Sequence, residues 1–315
     1  MPKVSICIPA YKQVEYLRKA LLSISKQTFT DYEIVLTDDS PDSAVYDLLK
    51  DFDFKGKLNY HKNSPALGSP ANWNYGLNMA KGKYIKILHH DDYFTSEDSL
   101  QKFVNLLDSN PQSDFAFSGA RIDLLALKEE GKNSCSDTEL KKIVSQPESL
   151  FYANRIGAPS ATIVRNGSEI LFDENMKWLV DIDWYIAWIL HNKNVVRTQE
   201  CLICTTHGAE GQVTQAVQSD KDIQIKEHIL LLNKLYASAV NKKKLSNYFQ
   251  ILFSKYGINS IDQAQQFAAI EKKVVPFLEE VIRDKDKNIF LKKVRYWVGK
   301  SRPSDYWLML KSKLK

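Results

Sequence analysis

Two histidines and two adjacent aspartates, His89-His90-Asp91-Asp92, follow directly on the apolar run Lys83-Tyr-Ile-Lys-Ile-Leu88. The run reads as a buried strand, and nothing in a strand's packing calls for such residues at its carboxyl end. In an open α/β sheet that end is where ligands sit. Paired carboxylates there can hold a hard divalent cation, and such a cation can hold a diphosphate. The competing reading of Asp91-Asp92 is a solvated cap before Tyr93-Phe94. A second acidic pair, Asp38-Asp39, closes the run Tyr32-Glu-Ile-Val-Leu-Thr37. One of its carboxylates can hold an Asx-type turn while the other faces a ligand and accepts a ring N–H. Pro9-Ala10-Tyr11 ends the first strand, where an aromatic ring can lie along a base.

A third acidic pair, Asp181 and Asp183, lies in Trp178-Leu-Val-Asp-Ile-Asp-Trp-Tyr185. Carboxylates in so apolar a segment are costly to bury unless paired or used. Low-dielectric surroundings raise a carboxyl pKa and suit it to general-base work. In a helix, residues i and i+2 face different ways, so one of the two at most is the base. The competing reading is a helix N-cap with a first-turn acid. His207, in a loop spaced by Gly208 and Gly211, reads either as a lid residue reaching a metal or diphosphate, or as a surface histidine. Cys201-x-x-Cys204 with one histidine is a weak metal signal, since thiols three apart on a strand point to opposite faces. Buried structural cysteines are the expectation.

These residues need elements to hold them. Val4–Ile8, Tyr32–Leu36, Leu58–Tyr60 and the run before His89 read as strands. Helices over Glu15–Lys26, around Val45–Leu49 and over Ala71–Ala80 alternate with them, the last closing on Gly82 as a C-cap. This alternation predicts a mostly parallel sheet with crossover helices, a Rossmann-like α/β fold with three polar strand ends converging on one crevice. Farther on, Ser99–Leu107 reads as a helix, and Phe115–Ser118, Ser160–Val164, Val195–Thr198 and Cys201–Cys204 as short strands. Leu127–Pro147 reads as an irregular surface loop. Beyond about Gln218 strand signals stop, and Ile223–Val240 and Ile261–Ile282 read as amphipathic helices. The expected division is a catalytic domain over 1–217 and a helical region over 218–315.

Composition bounds the class. The 315 residues are 44% hydrophobic and 26% charged, as in a globular chain with a sizeable core. No apolar run is long enough to span a bilayer, and no signal peptide precedes the first strand, so a cytoplasmic location is expected. Four cysteines make no disulfide framework. Of the net charge of +5, residues 291–315 supply +7, so the rest is about −2. A basic tail rather than a basic body argues against a nucleic-acid enzyme. The tail's Tyr296, Trp297, Tyr306 and Trp307 among lysines and arginines fit an anionic membrane surface, and equally a helix docked on its own domain or a dimer contact.

The residues also resemble a known family. Val4-Ser-Ile-Cys-Ile-Pro-Ala-Tyr11, Leu21-Leu-Ser-Ile-Ser-Lys-Gln-Thr28, Glu33-Ile-Val-Leu-Thr-Asp-Asp-Ser40, and Leu67-Gly68 through Asn74-Tyr-Gly-Leu-Asn-Met-Ala-Lys-Gly-Lys-Tyr-Ile85 to His89-His-Asp-Asp92 are similar to family 2 glycosyltransferases of the GT-A fold. The resemblance covers roughly residues 1–215. It implies an inverting enzyme that moves a sugar from a UDP-sugar, with Mn2+ or Mg2+, to a hydroxyl of a glycan acceptor. By that resemblance Pro9, Ala10 and Tyr11 line base and ribose, Asp39 contacts uracil, and Gly68 lies beside the base. Asp91 touches the ribose, Asp92 binds the metal, and His207 approaches it. Asp181 aligns with the family's base, Asp183 being the alternative, and the acid that precedes the base in the family is absent. A lipid-linked oligosaccharide, as in capsule or lipopolysaccharide assembly, is the acceptor by analogy, with peripheral membrane contact through the tail. The competing functions are a nucleotidyltransferase forming a nucleotide-sugar, which wants a Gly-rich phosphate loop after the first strand, and a non-catalytic nucleotide-sugar-binding protein.

Overall fold

The computed structural model describes residues 1–124, 129–208 and 217–285. The chain forms two compact units. One is built from Met1–Val144 with Arg155–Gln212, the other from Ser145–Asn154 with the described part of Val213–Lys315.

The first unit is a mixed α/β fold around a nine-stranded sheet. Its strands are β1 (Val4–Ala10), β2 (Tyr32–Asp38), β3 (Lys57–Lys62), β4 (Tyr84–Ile87), β5 (Tyr93–Phe94), β6 (Phe115–Leu124), β7 (Glu129–Asn133), β8 (Thr162–Arg165) and β9 (Val195–His207). The order is β3-β2-β1-β4-β8-β6-β9-β5, with β7 on β6. The first four strands run parallel, as the strand–helix alternation requires. β8 enters antiparallel between β4 and β6, and β6 and β9 are parallel. The chain steps from β1 outward to β2 and β3, then returns to place β4 on the other side of β1. That reversal opens a crevice at the carboxyl ends of β1 and β4, where ligands of such sheets bind.

Every residue of β1 and β2 is buried, which explains their unbroken apolar runs. Helix α1 (Val14–Ser25) covers the sheet with Leu17, Ala20, Leu21 and Ile24. Each of its larger apolar side chains contributes about 1.5–3 kcal/mol by leaving water. Helices α2 (Ala44–Leu49), α3 (Ala71–Met79) and α4 (Ser99–Asp108) occupy the expected places. Gly82 is needed for another reason than capping. Helix α3 ends at Ala80 in extended geometry, and a Cβ on Gly82 would lie 2.5 Å from the backbone nitrogen of Ser5. It is the close approach to β1, not a left-handed turn, that excludes a side chain.

Two expectations are corrected. The segment read as an irregular loop contains β7 and helix α5 (Asp137–Ser145), which starts on a reciprocal cap: Ser136 N and Oγ both donate to the Glu139 carboxylate. The two short strands after Val195 are one strand, β9, with a register shift opposite Gly119. A Cβ there would stand 2.8 Å from the carbonyl oxygen of Gln199, so a glycine admits the bulge. Helix α6 (Val180–His191) carries the third acidic pair in its first turn.

The second unit is helical: α7 (Lys221–Leu235), α8 (Lys242–Tyr256), α9 (Ile261–Gln265) and α10 (Val275–Asp284). The helix expected over Ile261–Ile282 is broken, and Pro276 opens α10. Helix α8 was not expected. Asn241 caps it by accepting from Lys244 N, and the buried Glu148 carboxylate accepts from Val240 N and Asn241 N. His228 is buried here. Its Nδ1 lies 2.5 Å from the Gln224 carbonyl oxygen and its Nε2 2.6 Å from the Tyr248 hydroxyl, so the neutral ring is fully satisfied. Burial lowers its pKa to about 4, against an ordinary 6.5. The unfolded chain therefore binds the proton first as pH falls. Stability of this unit is expected to be complete above pH ~6.5 and to decline between ~6.5 and ~4. Thermal unfolding across that range checks this, with His228→Gln flattening the slope. Among the described residues no helix is long and apolar enough to cross a membrane, and the basic tail lies outside them.

Candidate active site

The end of β1 fixes one wall of the crevice. Ala10 is buried, whereas Tyr11 is half exposed at 50%. Lys12 and Gln13 then hold left-handed backbone, with φ of 53° and 47°. Non-glycine residues adopt this region at a cost of about 1–3 kcal/mol each, and such strain collects at functional sites. Two contacts hold the turn in place: Lys12 N donates to Ser40 Oγ at 2.7 Å, and Asp39 N donates to the Ala10 carbonyl at 3.0 Å.

The two aspartates after β2 divide their work. Asp38 holds structure, accepting from Ser40 N at 2.8 Å, Tyr60 Oη at 2.8 Å and Lys62 Nζ at 3.0 Å. Asp39 turns to the crevice. Its Oδ1 accepts from Asn63 Nδ2 and Leu67 N, and its Oδ2 from Gly68 N at 2.8 Å. Oδ2 keeps a lone pair for a further donor. The carboxylate thus fastens the Leu67-Gly68 turn, with Gly68 at φ 77°. Asn63 and Asn72, which the sequence reading passed over, complete this wall: Asn63 Nδ2 also reaches Asn72 Oδ1, and Asn72 Nδ2 reaches the Thr37 carbonyl.

The opposite wall is the end of β4. His89, Asp91 and Asp92 each offer a ligand atom, all within 4.8 Å of one another. Asp92 is buried, and burial with the Asp91 charge pushes its carboxyl well above the usual range, against hydrogen bonds from Ser160 and Thr206. Burial pushes His89 down to about 4, keeping the ring neutral as a ligand must be. His89 Nε2 is buried without a hydrogen-bond partner. A buried orphan nitrogen beside two carboxylates suits a bound divalent cation, so the donor set fits one. No role was assigned to His89 from the sequence; β4 ends at Ile87, and it is the turn closed by Asp92 N on the His89 carbonyl at 3.0 Å that brings the ring to the carboxylates. His90 faces away, with Nδ1 3.2 Å from the Pro9 carbonyl oxygen and Nε2 3.1 Å from Gln13 Oε1.

Residues 5–130 match the profile described as Glycosyl transferase family 2. The chain carries a family 2 glycosyltransferase domain. It is 27% identical over 210 residues to an uncharacterized glycosyltransferase of Methanocaldococcus jannaschii, covering 64% of this chain and 70% of that protein. It is 36% identical over 101 residues to the GalNAc(5)-diNAcBac-PP-undecaprenol beta-1,3-glucosyltransferase of Campylobacter jejuni, covering 30% of this chain and 32% of that one. Among curated relatives the share matched thus varies widely, and several matches span less than half of the relative's length. In structure it is similar to residues 1–349 of Staphylococcus aureus TarS in complex with UDP-GlcNAc, with a TM-score of 0.58, 17% identity, and coverage of 90% and 88%. That likeness supports the GT-A architecture.

Two further groups of the glycosyltransferase stand near the acidic cluster. Tyr185, one turn into α6, is fully buried, and its hydroxyl is pushed far up by burial and by the charges of Asp181 and Asp92. The first turn of α6 therefore lies within electrostatic reach of Asp92. Asp181 is half-buried and accepts from Ile182 N, whereas Asp183 is buried. His207 closes β9 with an exposed ring edge. Its pKa is lowered, by loss of water first, against a smaller upward pull from Asp91. It is not one of the three groups gathered within 4.8 Å. Cys204 is buried and Cys201 half-buried, both free thiols.

Proposed function

We propose that this glycosyltransferase moves a sugar from a UDP-sugar to a hydroxyl of a glycan acceptor, with inversion and with a divalent cation, Mn2+ or Mg2+. This reading is carried by the gathering of His89, Asp91 and Asp92 within 4.8 Å at the end of β4, two strands from the β2 end where Asp39 holds the Leu67-Gly68 turn. Those two walls offer a diphosphate-side site and a base-side site on one nucleotide. Asp92 and His89 would hold the cation, Asp91 would share it or reach the ribose, and His207 would approach from the end of β9. When bound, the cation offsets negative charge on the departing diphosphate.

The chain's own groups do the rest. Pro9, Ala10 and Tyr11 line the base and ribose. The free lone pair of Asp39 accepts the uracil ring N–H, and Gly68 brings backbone close to the ring. Asp181 takes the acceptor proton, with Asp183 as the alternative base. The acceptor oxygen then attacks the anomeric carbon opposite the leaving diphosphate, so an α-linked donor yields a β-linkage. The acceptor is a lipid-linked oligosaccharide, and residues 291–315 supply peripheral membrane contact. Its support is the basic, aromatic composition of that stretch and the undecaprenol-linked substrate named for the Campylobacter relative.

The test is a donor screen by UDP release with lipid-linked acceptors, followed by NMR of the new anomeric centre. A β-linkage from an α-linked UDP-sugar supports the reading, and retention of configuration contradicts it. The turn gives a finer check. A Cβ on Gly68 meets nothing within 4 Å, so Gly68→Ala costs backbone strain alone, about 1 kcal/mol. It is expected to raise KM for the donor several-fold and leave kcat unchanged.

A further inference from the structure

Packing alone does not account for Lys86. Along β4, Tyr84, Lys86 and Leu88 face the same side, and Tyr84 and Leu88 belong to the hydrophobic core. Lys86 stands between them with no exposure. Its Nζ lies 4.6 Å from the ring centroid of Phe103 and 5.6 Å from that of Phe94. An ammonium in such a place is expensive unless it is paired and hydrogen-bonded. Burial draws it down to about 7, and Asp92 and Cys7 pull it back up.

Its contacts lead to the acidic cluster. Nζ donates to the Ile87 carbonyl at 2.6 Å and to the Ser160 carbonyl. Ser160 is fully buried in the turn Pro159–Ala161. Its Oγ accepts from His89 N at 2.9 Å, and its hydroxyl draws the Asp92 carboxyl down against the larger upward push of burial. The hydroxyl has one proton to give and lone pairs to receive, so both contacts are satisfied together. One buried lysine thus holds the serine that fixes the backbone of His89 and acts on the Asp92 carboxyl.

We propose that Lys86 and Ser160 form a buried clasp that fixes His89 and Asp92 in the arrangement a divalent cation needs, with the ammonium as the counter-charge behind Asp92. Both are positioning residues, since they reach the cation through other groups. The clasp rests on the reading of that cluster as a cation site. It also explains why a lysine is kept where a methionine would pack at lower cost.

The two accounts of Lys86 part in experiment. Lys86→Met keeps the apolar stem and removes the charge, and Ser160→Ala removes only the hydroxyl. In the full chain, Mn2+ uptake is read from loss of the free-ion EPR signal, with and without UDP. The clasp predicts that Lys86→Met weakens Mn2+ binding on the order of tenfold to a hundredfold. Ser160→Ala weakens it likewise, and the double variant loses little more than either single one. Wild-type Mn2+ affinity in both single variants overturns the clasp. If Lys86→Met does not fold, Ser160→Ala decides alone, and unchanged affinity there overturns it. A wild-type chain that takes up no Mn2+, alone or with UDP, overturns the cation reading itself and the clasp with it. That result is separable, because it is seen before any variant is made.

Discussion

Asp92→Asn is expected to lower turnover on the order of 10²–10³-fold without lowering Tm. The loss follows from removing a charged group aimed at the developing charge of the leaving diphosphate, in a water-poor site. The stability result follows from burial. The folded-state pKa of Asp92 lies above the ordinary 3.8, so the carboxyl is more at ease protonated. A group of this kind contributes its full stability below pH ~3.8 and loses it as pH rises through the folded pKa. At neutral pH in metal-free buffer that contribution is diminished, and the neutral amide restores it. The gain in Tm is expected to shrink as pH approaches ~4. Scanning calorimetry at several pH values reads the sign, and a fall in Tm at pH 7 would show that Asp92 is held ionised by its surroundings.

The second large effect is expected to separate the aspartates of α6. Asp181→Asn should cost on the order of 10²–10⁴ in kcat, the usual contribution of a general base, with UDP affinity retained. Asp183→Asn should keep turnover within several-fold and lower Tm instead. Two observations set this direction. Asp181 acts on the same buried tyrosine hydroxyl as Asp92 does, whereas Asp183 is the more deeply buried of the two. Two residues apart on a helix, they face different ways, so they cannot share one role. Equal kcat losses in both variants would sink this assignment. Wild-type rates in both would remove the base from α6 altogether.

What could be read from residues alone follows a physical line. β1, β2 and β4 declare themselves because burial on both faces forces continuous apolar runs. Their ends declare themselves because Asp38-Asp39 and His89-Asp92 have no packing role. The division of labour within Asp38-Asp39 was legible as well, since one aspartate commonly holds its own turn. What escaped depends on tertiary contact. Helix α8 buries Leu245, Phe249, Leu252 and Phe253 at helical spacing, yet it opens on three lysines. Cations at a helix N-terminus oppose its dipole, and the buried carboxylate of Glu148 that offsets them lies far back in the chain. Strand β9 looked like two strands because the break at Gln199-Glu200 is exposed, and only Gly119 on the partner strand explains it. His89 escaped because a histidine's role depends on whether its ring nitrogens find partners, which spacing does not reveal.

The most direct test of the central claim is UDP release from a UDP-sugar donor, followed before chelation, after EDTA treatment, and after Mn2+ is returned. The account predicts that release stops with EDTA, resumes with Mn2+, and resumes only weakly in Asp92→Asn. Release that continues unchanged through EDTA, at the same rate in wild type and in Asp92→Asn, would contradict it.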